Sequence, residues 1–132
     1  MIKKVDHIGI AVSNLDETVK KLATLFGLEA DVIEGSTQLK AALVQVGDII
    51  IEPLQPIGKE QWIAQSIEKH GNNIHHICFE VDDVDKELEM LAAKGVELID
   101  TKGRQGLTGK IGFIHPSATE NILIELVQKI DT

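Results

Sequence analysis

The sequence predicts an α+β chain made of two consecutive βαβββ modules. Three observations predict it: an internal repeat, the same order of strand and helix patterns in both copies, and a length and composition suited to one domain. Val5-Asp-His-Ile-Gly-Ile-Ala-Val-Ser-Asn-Leu-Asp16 and Ile74-His-His-Ile-Cys-Phe-Glu-Val-Asp-Asp-Val-Asp85 superimpose His7 on His76, Ile8 on Ile77, Val12 on Val81 and Asp16 on Asp85, an offset of 76 − 7 = 69. The match continues through Leu22 on Leu91 and, with one gap, Gly27 on Gly95. The ends of the halves match as well. Asp48-Ile-Ile-Ile-Glu-Pro-Leu-Gln55 lies over Asn121-Ile-Leu-Ile-Glu-Leu-Val-Gln128, with Glu52 on Glu125 at an offset of 125 − 52 = 73. Self-similarity of this kind marks a duplicated structural unit.

Each element follows from local pattern. Residues 5–12 and 74–81 are short, apolar and rich in β-branched side chains, which predicts strands. Ser13-Asn14 and Asp82-Asp83 then supply side-chain oxygens for helix N-caps. Leu15, Val19, Leu22, Leu25 and Phe26 recur at three- and four-residue steps, as do Val84, Leu88, Leu91 and Ala92, so both stretches read as amphipathic helices. Gly27 and Gly95 follow as stops. Three more strands complete each half, at about 30–34, 38–46 and 48–54, then at about 96–100, 110–115 and 121–127. Residues 59–70 form a connecting helix with Trp62, Ile63 and Ile67 on one side, and Gly71-Asn72-Asn73 ends it. The organisation is one domain over 1–132: module 1 at about 1–56, the connecting helix at about 59–71, and module 2 at about 72–130.

Composition excludes several function classes. With 21 acidic and 13 basic residues the net charge is −8, which offers no footprint for a nucleic-acid backbone or an anionic membrane. Aromatic residues are 3% of the chain and tyrosine is absent, so a base-stacking surface is not expected. There is no apolar run of the roughly 18 residues a membrane-spanning helix needs, and no signal-peptide pattern at the start. The single cysteine, Cys78, forbids an internal disulfide framework and is expected to pack as a small hydrophobe. The expected location is cytoplasmic.

The chemistry lies in the repeated His and Glu. Side chains alternate faces along a strand, so His7 shares a face with Gly9, while Glu52 and Glu125 each stand in a run of apolar residues. A carboxylate in such a strand is costly to bury unless a cation or a proton meets it. Two such carboxylates, each in a repeat with a matching histidine, share one explanation. If the halves pair about a pseudo-twofold axis, His7, Glu52, His76 and Glu125 converge on one divalent ion. This mixed N/O set suits Mn, Fe, Co, Ni or Zn better than Mg, and four ligands on an octahedral ion leave two positions for substrate oxygens. Taken alone, any one of these histidines reads as structural, and Glu52 alone could face water on an edge strand. The recurrence at matched positions favours the metal. His75 falls on the opposite face from His76, His115-Pro116 closes a strand, and His70 sits at a helix C-terminus where an imidazolium is favourable. Gly103-Arg-Gln-Gly-Leu-Thr-Gly109 is a flexible, donor-rich loop able to close over a ligand.

Asp6-His7-Ile-Gly-Ile-Ala-Val, Ile51-Glu52-Pro-Leu, Ile74-His-His76-Ile, Gly112-Phe-Ile-His-Pro116 and Leu123-Ile-Glu125-Leu together resemble the methylmalonyl-CoA epimerases. These are a branch of the vicinal oxygen chelate superfamily that also holds glyoxalase I. The resemblance runs from about residue 5 to 128. It implies a curved sheet forming a cup around a metal site, held by His7, Glu52, His76 and Glu125, with Co, Mn, Ni or Zn as the ion. It implies an acyl-CoA substrate, a homodimer, and inversion at C2 through a metal-stabilised enolate. Glu125 is then the proton-transfer group on one face. The second is open: some family members carry a Glu on the strand that here reads Leu39-Lys40-Ala41-Ala42, leaving Glu52 or a water for the role. Lys40, Arg104 and Lys110 are expected phosphate contacts. Two further readings stand beside this one: a glyoxalase I-type (lactoylglutathione) lyase, and a non-catalytic protein that binds a small molecule in the same cup.

Overall fold

The computed structural model describes residues 1–33, 38–59 and 61–130. Two compact units make up the chain, one formed by His7–His75 and the other by Met1–Asp6 with His76–Thr132. The elements in order are β1 (Ile2–Ala11), α1 (Leu15–Phe26), β2 (Asp31–Ile33), β3 (Leu39–Val46), β4 (Ile49–Pro56), α2 (Trp62–His70), β5 (Asn73–Val81), α3 (Val84–Ala93), β6 (Arg104–Gln105), β7 (Gly109–Ile114) and β8 (Ile124–Lys129), with a 3-10 turn at Pro116–Ala118 before β8. This is βαβββ twice. Residues 34 and 60, which fall in the expected strand 30–34 and the expected connecting helix, lie outside the described residues. Among the described residues no helix is long and apolar enough to cross a membrane.

In the unit His7–His75 the strands lie in the order β2-β3-β4-β1. β1 runs parallel to β4, with Gly9 opposite Glu52 and Ala11 opposite Leu54, and β3 is antiparallel to β4, with Ala41 opposite Leu54. The alternation of side chains gives this sheet two apolar faces. Val12, Leu15 and Ala42 gather with Ile10 and Val19 under α1. Ala11, Ala41 and Leu54 gather with Ile63 and Ile67 of α2 on the other face. Asn14 caps α1 by accepting from the Glu17 amide, and Gly27 ends it in the left-handed conformation, φ 67°. The carbonyls of Ala23 and Leu22 thereby gain the donors that an α-helix C-terminus lacks.

The second unit repeats this layout in the order β5-β8-β7-β6. β5 is parallel to β8, with Cys78 opposite Glu125, and β7 is antiparallel to β8, with Phe113 opposite Glu125. Val81, Val84, Leu88, Ile114 and Leu126 form the core beneath α3. Gly112 leaves room there, because a Cβ at that position would lie 2.8 Å from Leu88 Cδ1 and force that buried side chain to shift. Ala42 takes the same place under α1. A small residue on the third strand lets each helix approach its sheet.

The two helix starts are tied down alike. The Leu15 amide donates to Gln55 Oε1 at 2.7 Å, and the Val84 amide donates to Gln128 Oε1 at 3.0 Å. Gln55 and Gln128 are the last matched residues of the repeat, so each module's final strand holds the first turn of its helix.

One expected strand is not formed. The stretch 96–100 contributes only a bridge from Leu98 to Ile114. The Ile99 and Asp100 amides converge on the single carbonyl of Phe113, and Asp100 Oδ2 takes the Phe113 amide at 2.8 Å. A side chain thus occupies a donor that a ladder would use, and pairing stops. Conversely, the Gly103–Gly109 stretch holds the short strand β6, whose Arg104 and Gln105 pair with Ile111 and Lys110.

Candidate metal centre

Within His7–His75 the register sets His7 and Glu52 on one face. Glu52 lies opposite Gly9, two residues along β1 from His7, and shares with Leu54 the α2 side of the sheet. Both side chains are buried, with His7 Nε2 3.9 Å from Glu52 Oε1. In the other unit Cys78 opposes Glu125, so His76, two residues back along β5, shares that face. His76 Nε2 lies 3.2 Å from Glu125 Oε1, and both residues are buried. Each repeat therefore closes one imidazole–carboxylate pair.

These distances suit donors that share an ion. Two ligand atoms each about 2.1 Å from one cation, at angles of about 90–110°, lie roughly 3.0–3.4 Å apart. The His76–Glu125 separation falls in that range, and the His7–Glu52 separation is slightly wider. Imidazole nitrogen suits Fe, Ni and Zn and carboxylate oxygen suits Mn, so a mixed pair fits a first-row divalent ion. Burial raises the cost of either carboxylate without a cationic partner. The residues present fit a metal.

The second pair has an aromatic brace. Phe113 stands opposite Glu125, and its ring meets the His76 ring edge to face, with centroids 5.8 Å apart and planes at 83°. The Arg104 guanidinium lies over the Phe113 ring, 5.5 Å from its centroid. Arg104 Nε donates to Asp100 Oδ1 at 3.1 Å. Lys129 Nζ sits 2.8 Å from the buried Asp6 carboxylate, which anchors the start of β1 to β8.

The other singled-out residues take structural places. His70 ends α2 as expected. His115 caps the 3-10 turn, its Nδ1 accepting from the Ser117 amide, and Ser117 Oγ donates to Glu97. Cys78 is fully buried. Lys40 is exposed, while Ala41 and Ala42 are buried, so the described part of β3 offers no acid or base on the α2 side. Lys110 is committed to Asp85 at 2.8 Å, and the Gly103 amide donates to the same carboxylate at 2.7 Å. These two bonds, the Lys110 side chain first, hold the Asp85 carboxyl below its ordinary pKa, and the ion pair raises that of Lys110. A groove of about 430 Å³ in the second unit is lined by Ile77, Phe79, Leu91, Ile114, Ile124 and Leu126. Those strand residues alternate with His76, Glu125 and Phe113, so the groove lies on the α3 face, away from the chemistry. The Arg104–Phe113–His76 stack was not foreseen. Its sequence signal is a phenylalanine at the register position opposite the repeated Glu.

Residues 6–114 match the family described as the Glyoxalase/Bleomycin resistance protein/Dioxygenase superfamily. The chain is 35% identical to the mitochondrial methylmalonyl-CoA epimerase of Dictyostelium discoideum, over 97% of this chain and 80% of that protein. It is 30% identical to an ethylmalonyl-CoA/methylmalonyl-CoA epimerase of Cereibacter sphaeroides, over 97% of this chain and 99% of that one. A solved methylmalonyl-CoA epimerase in complex with methylmalonyl-CoA and NH4+ aligns with a TM-score of 0.90 at 29% identity, covering 98% of this chain and 96% of that one. The tandem βαβββ arrangement and these likenesses agree: the chain has the glyoxalase fold and belongs to the methylmalonyl-CoA epimerase family of isomerases.

Proposed function

We propose that this protein epimerises methylmalonyl-CoA at C2, using a divalent ion held by His7, Glu52, His76 and Glu125. The observation that carries the reading is that each repeat closes one buried imidazole–carboxylate pair, in a chain 35% identical to a methylmalonyl-CoA epimerase. The ion, one of Co, Mn, Ni or Zn, would supply Lewis-acid stabilisation for the charge that develops on the thioester oxygen as the C2 proton leaves. Inversion needs one acid/base group on each face of the planar carbon. Glu125 takes the proton on one face. With Ala41 and Ala42 buried in the apolar cores, Glu52 is the remaining carboxylate of the first pair and serves the other face. The family resemblance further supports a homodimer.

The test is deuterium uptake at C2 of methylmalonyl-CoA, followed by NMR with cobalt-reconstituted protein and with chelator-stripped protein. Uptake that depends on the ion supports the reading. Equal, background rates in both samples reject it, and formation of lactoylglutathione from the methylglyoxal–glutathione adduct would assign the lyase activity instead.

A further inference from the structure

We propose that Arg104 is a substrate-anchoring residue whose outer guanidinium nitrogens bind an oxyanion of the acyl-CoA. The inference rests on the acyl-CoA reading above and adds a binding residue to it. Phe113 and Glu125 are register partners, so both side chains leave the sheet on the same face as His76. Arg104 lies over the Phe113 ring on that face. The guanidinium is 5.5 Å from the Phe113 centroid, which is itself 5.8 Å from the His76 ring, so it lies no further than 5.5 + 5.8 = 11.3 Å from the His76 centroid.

The residue is held for such a role. Arg104 Nε donates to Asp100 Oδ1, and the other Asp100 oxygen is fixed by the Phe113 amide at 2.8 Å. The aromatic face and the carboxylate thus set the plane of the guanidinium. Its two terminal nitrogens carry no hydrogen bond to another described residue, and the side chain is 51% exposed. A planar cation with its inner edge fixed and its outer edge open presents two parallel N–H donors to a carboxylate or phosphate. Two neighbouring cations are already committed. Lys110 pairs with Asp85 and Lys129 with Asp6. In a chain of net charge −8, bulk attraction for an anionic thioester is absent, so recognition of its charge must come from a local cation. Two groups of the substrate offer the matching oxyanion: the acyl carboxylate beside the thioester, and the phosphates of the nucleotide end.

The experiment compares wild type with Arg104→Gln, which removes the charge, and Arg104→Lys, which keeps the charge but not the two-pronged geometry. C2 exchange is measured on methylmalonyl-CoA and on methylmalonyl-pantetheine, which has no phosphate. Equilibrium dialysis with propionyl-CoA, methylmalonyl-CoA and CoA gives affinity without turnover. The expected result is a KM for methylmalonyl-CoA raised roughly tenfold or more in the Gln variant, with kcat changed by less than about threefold, and partial recovery in the Lys variant. If the penalty persists with the pantetheine thioester, the oxyanion is the acyl carboxylate. If it vanishes there and CoA alone binds more weakly, it is a phosphate. Unchanged KM and dialysis affinity in an active Gln variant would overturn the proposal, as would a fall in kcat alone. Wild type that binds none of the three CoA compounds would overturn both this proposal and the acyl-CoA reading. Wild type that binds them without exchange would reject the reading alone, and the dialysis comparison would still decide the role of Arg104.

Discussion

The two halves of the chain present the same residues at the same register and support them differently. In the first, the pairing of Ala41 with Leu54 and Val44 with Ile51 sets Leu43 opposite Glu52. In the second, Phe113 stands opposite Glu125. Leucine offers no ring for an imidazole to pack against, and the His7–Glu52 atoms lie 3.9 Å apart. Phenylalanine meets His76 edge to face, and the His76–Glu125 atoms lie 3.2 Å apart. The first half instead places its pair beside the apolar cluster under α2. On the proposed reading, in which all four would be ligands and Glu125 and Glu52 would both move protons, the braced pair is expected to carry more of the ion's affinity than the looser one, a division of binding within one shared set.

The largest expected effect tests that division directly. His76→Ala and Glu125→Gln should lose bound cobalt on dialysis, read by elemental analysis, and lower C2 exchange on the order of 10³-fold, since the Lewis-acid contribution amounts to several kcal/mol. Glu52→Gln should retain cobalt better than Glu125→Gln while still lowering exchange. Equal cobalt loss from both Gln variants would end the claim that the halves differ.

Phe113→Leu sharpens the comparison by giving the second half the first half's residue. Groups that orient a metal ligand without touching the ion typically change affinity 10–100-fold, so cobalt affinity should fall by about tenfold. Thermal unfolding should show a loss of about 1 kcal/mol from the edge-to-face contact. An unchanged cobalt titration would make the ring a packing residue only.

Much of this was legible in the sequence, for physical reasons that can be named. The His and Glu positions were readable because a repeat preserves strand register: the offset of 69 for His and 73 for Glu places both pairs identically, and Gly9 opposite Glu52 has its counterpart in Cys78 opposite Glu125. Both helices were readable from period and caps, and Asn14 and Asp83 cap them by accepting from Glu17 and Lys86 amides. The strand expected over 96–100 failed because apolar alternation in Val96-Glu-Leu-Ile99 says nothing about what the Asp100 side chain will accept. Position 104 was legible as a cation expected to meet phosphate, but not as a ring partner. Its placement over Phe113 depends on the hairpin of β6 and β7, a non-local contact that no local pattern encodes.

Smaller effects should come from the strand-end glutamines, where the halves agree. Gln55→Ala and Gln128→Ala each remove the acceptor for a helix's first amide, at Leu15 and Val84. Each should cost about 1 kcal/mol by chemical denaturation, the typical value of a lost capping bond. A marked inequality between them would show that the modules differ in their scaffolds as well as in their sites.

The smallest effect separates Asp85 from its repeat partner Asp16. Both stand in the first turn of their helices, but Asp85 alone of the two holds the β6–β7 hairpin, through Lys110 and the Gly103 amide. Those bonds lower the folded-state pKa of Asp85 below its ordinary 3.8. A depressed carboxyl pKa contributes stability that is fully present above the unfolded value and is lost as pH falls through the folded one. Near neutral pH the tether is therefore intact. Acidification below the ordinary carboxylate range should raise hydrogen exchange at the amides of residues 103–110, after correction for intrinsic rates, before the rest of β7 opens. Asp85→Asn should reproduce that loosening at pH 7, while Asp16→Asn leaves the hairpin unaffected. Because Asp85 and Lys110 are exposed, solvent screens the pair, and the change should be confined to the hairpin rather than lower the stability of the whole chain.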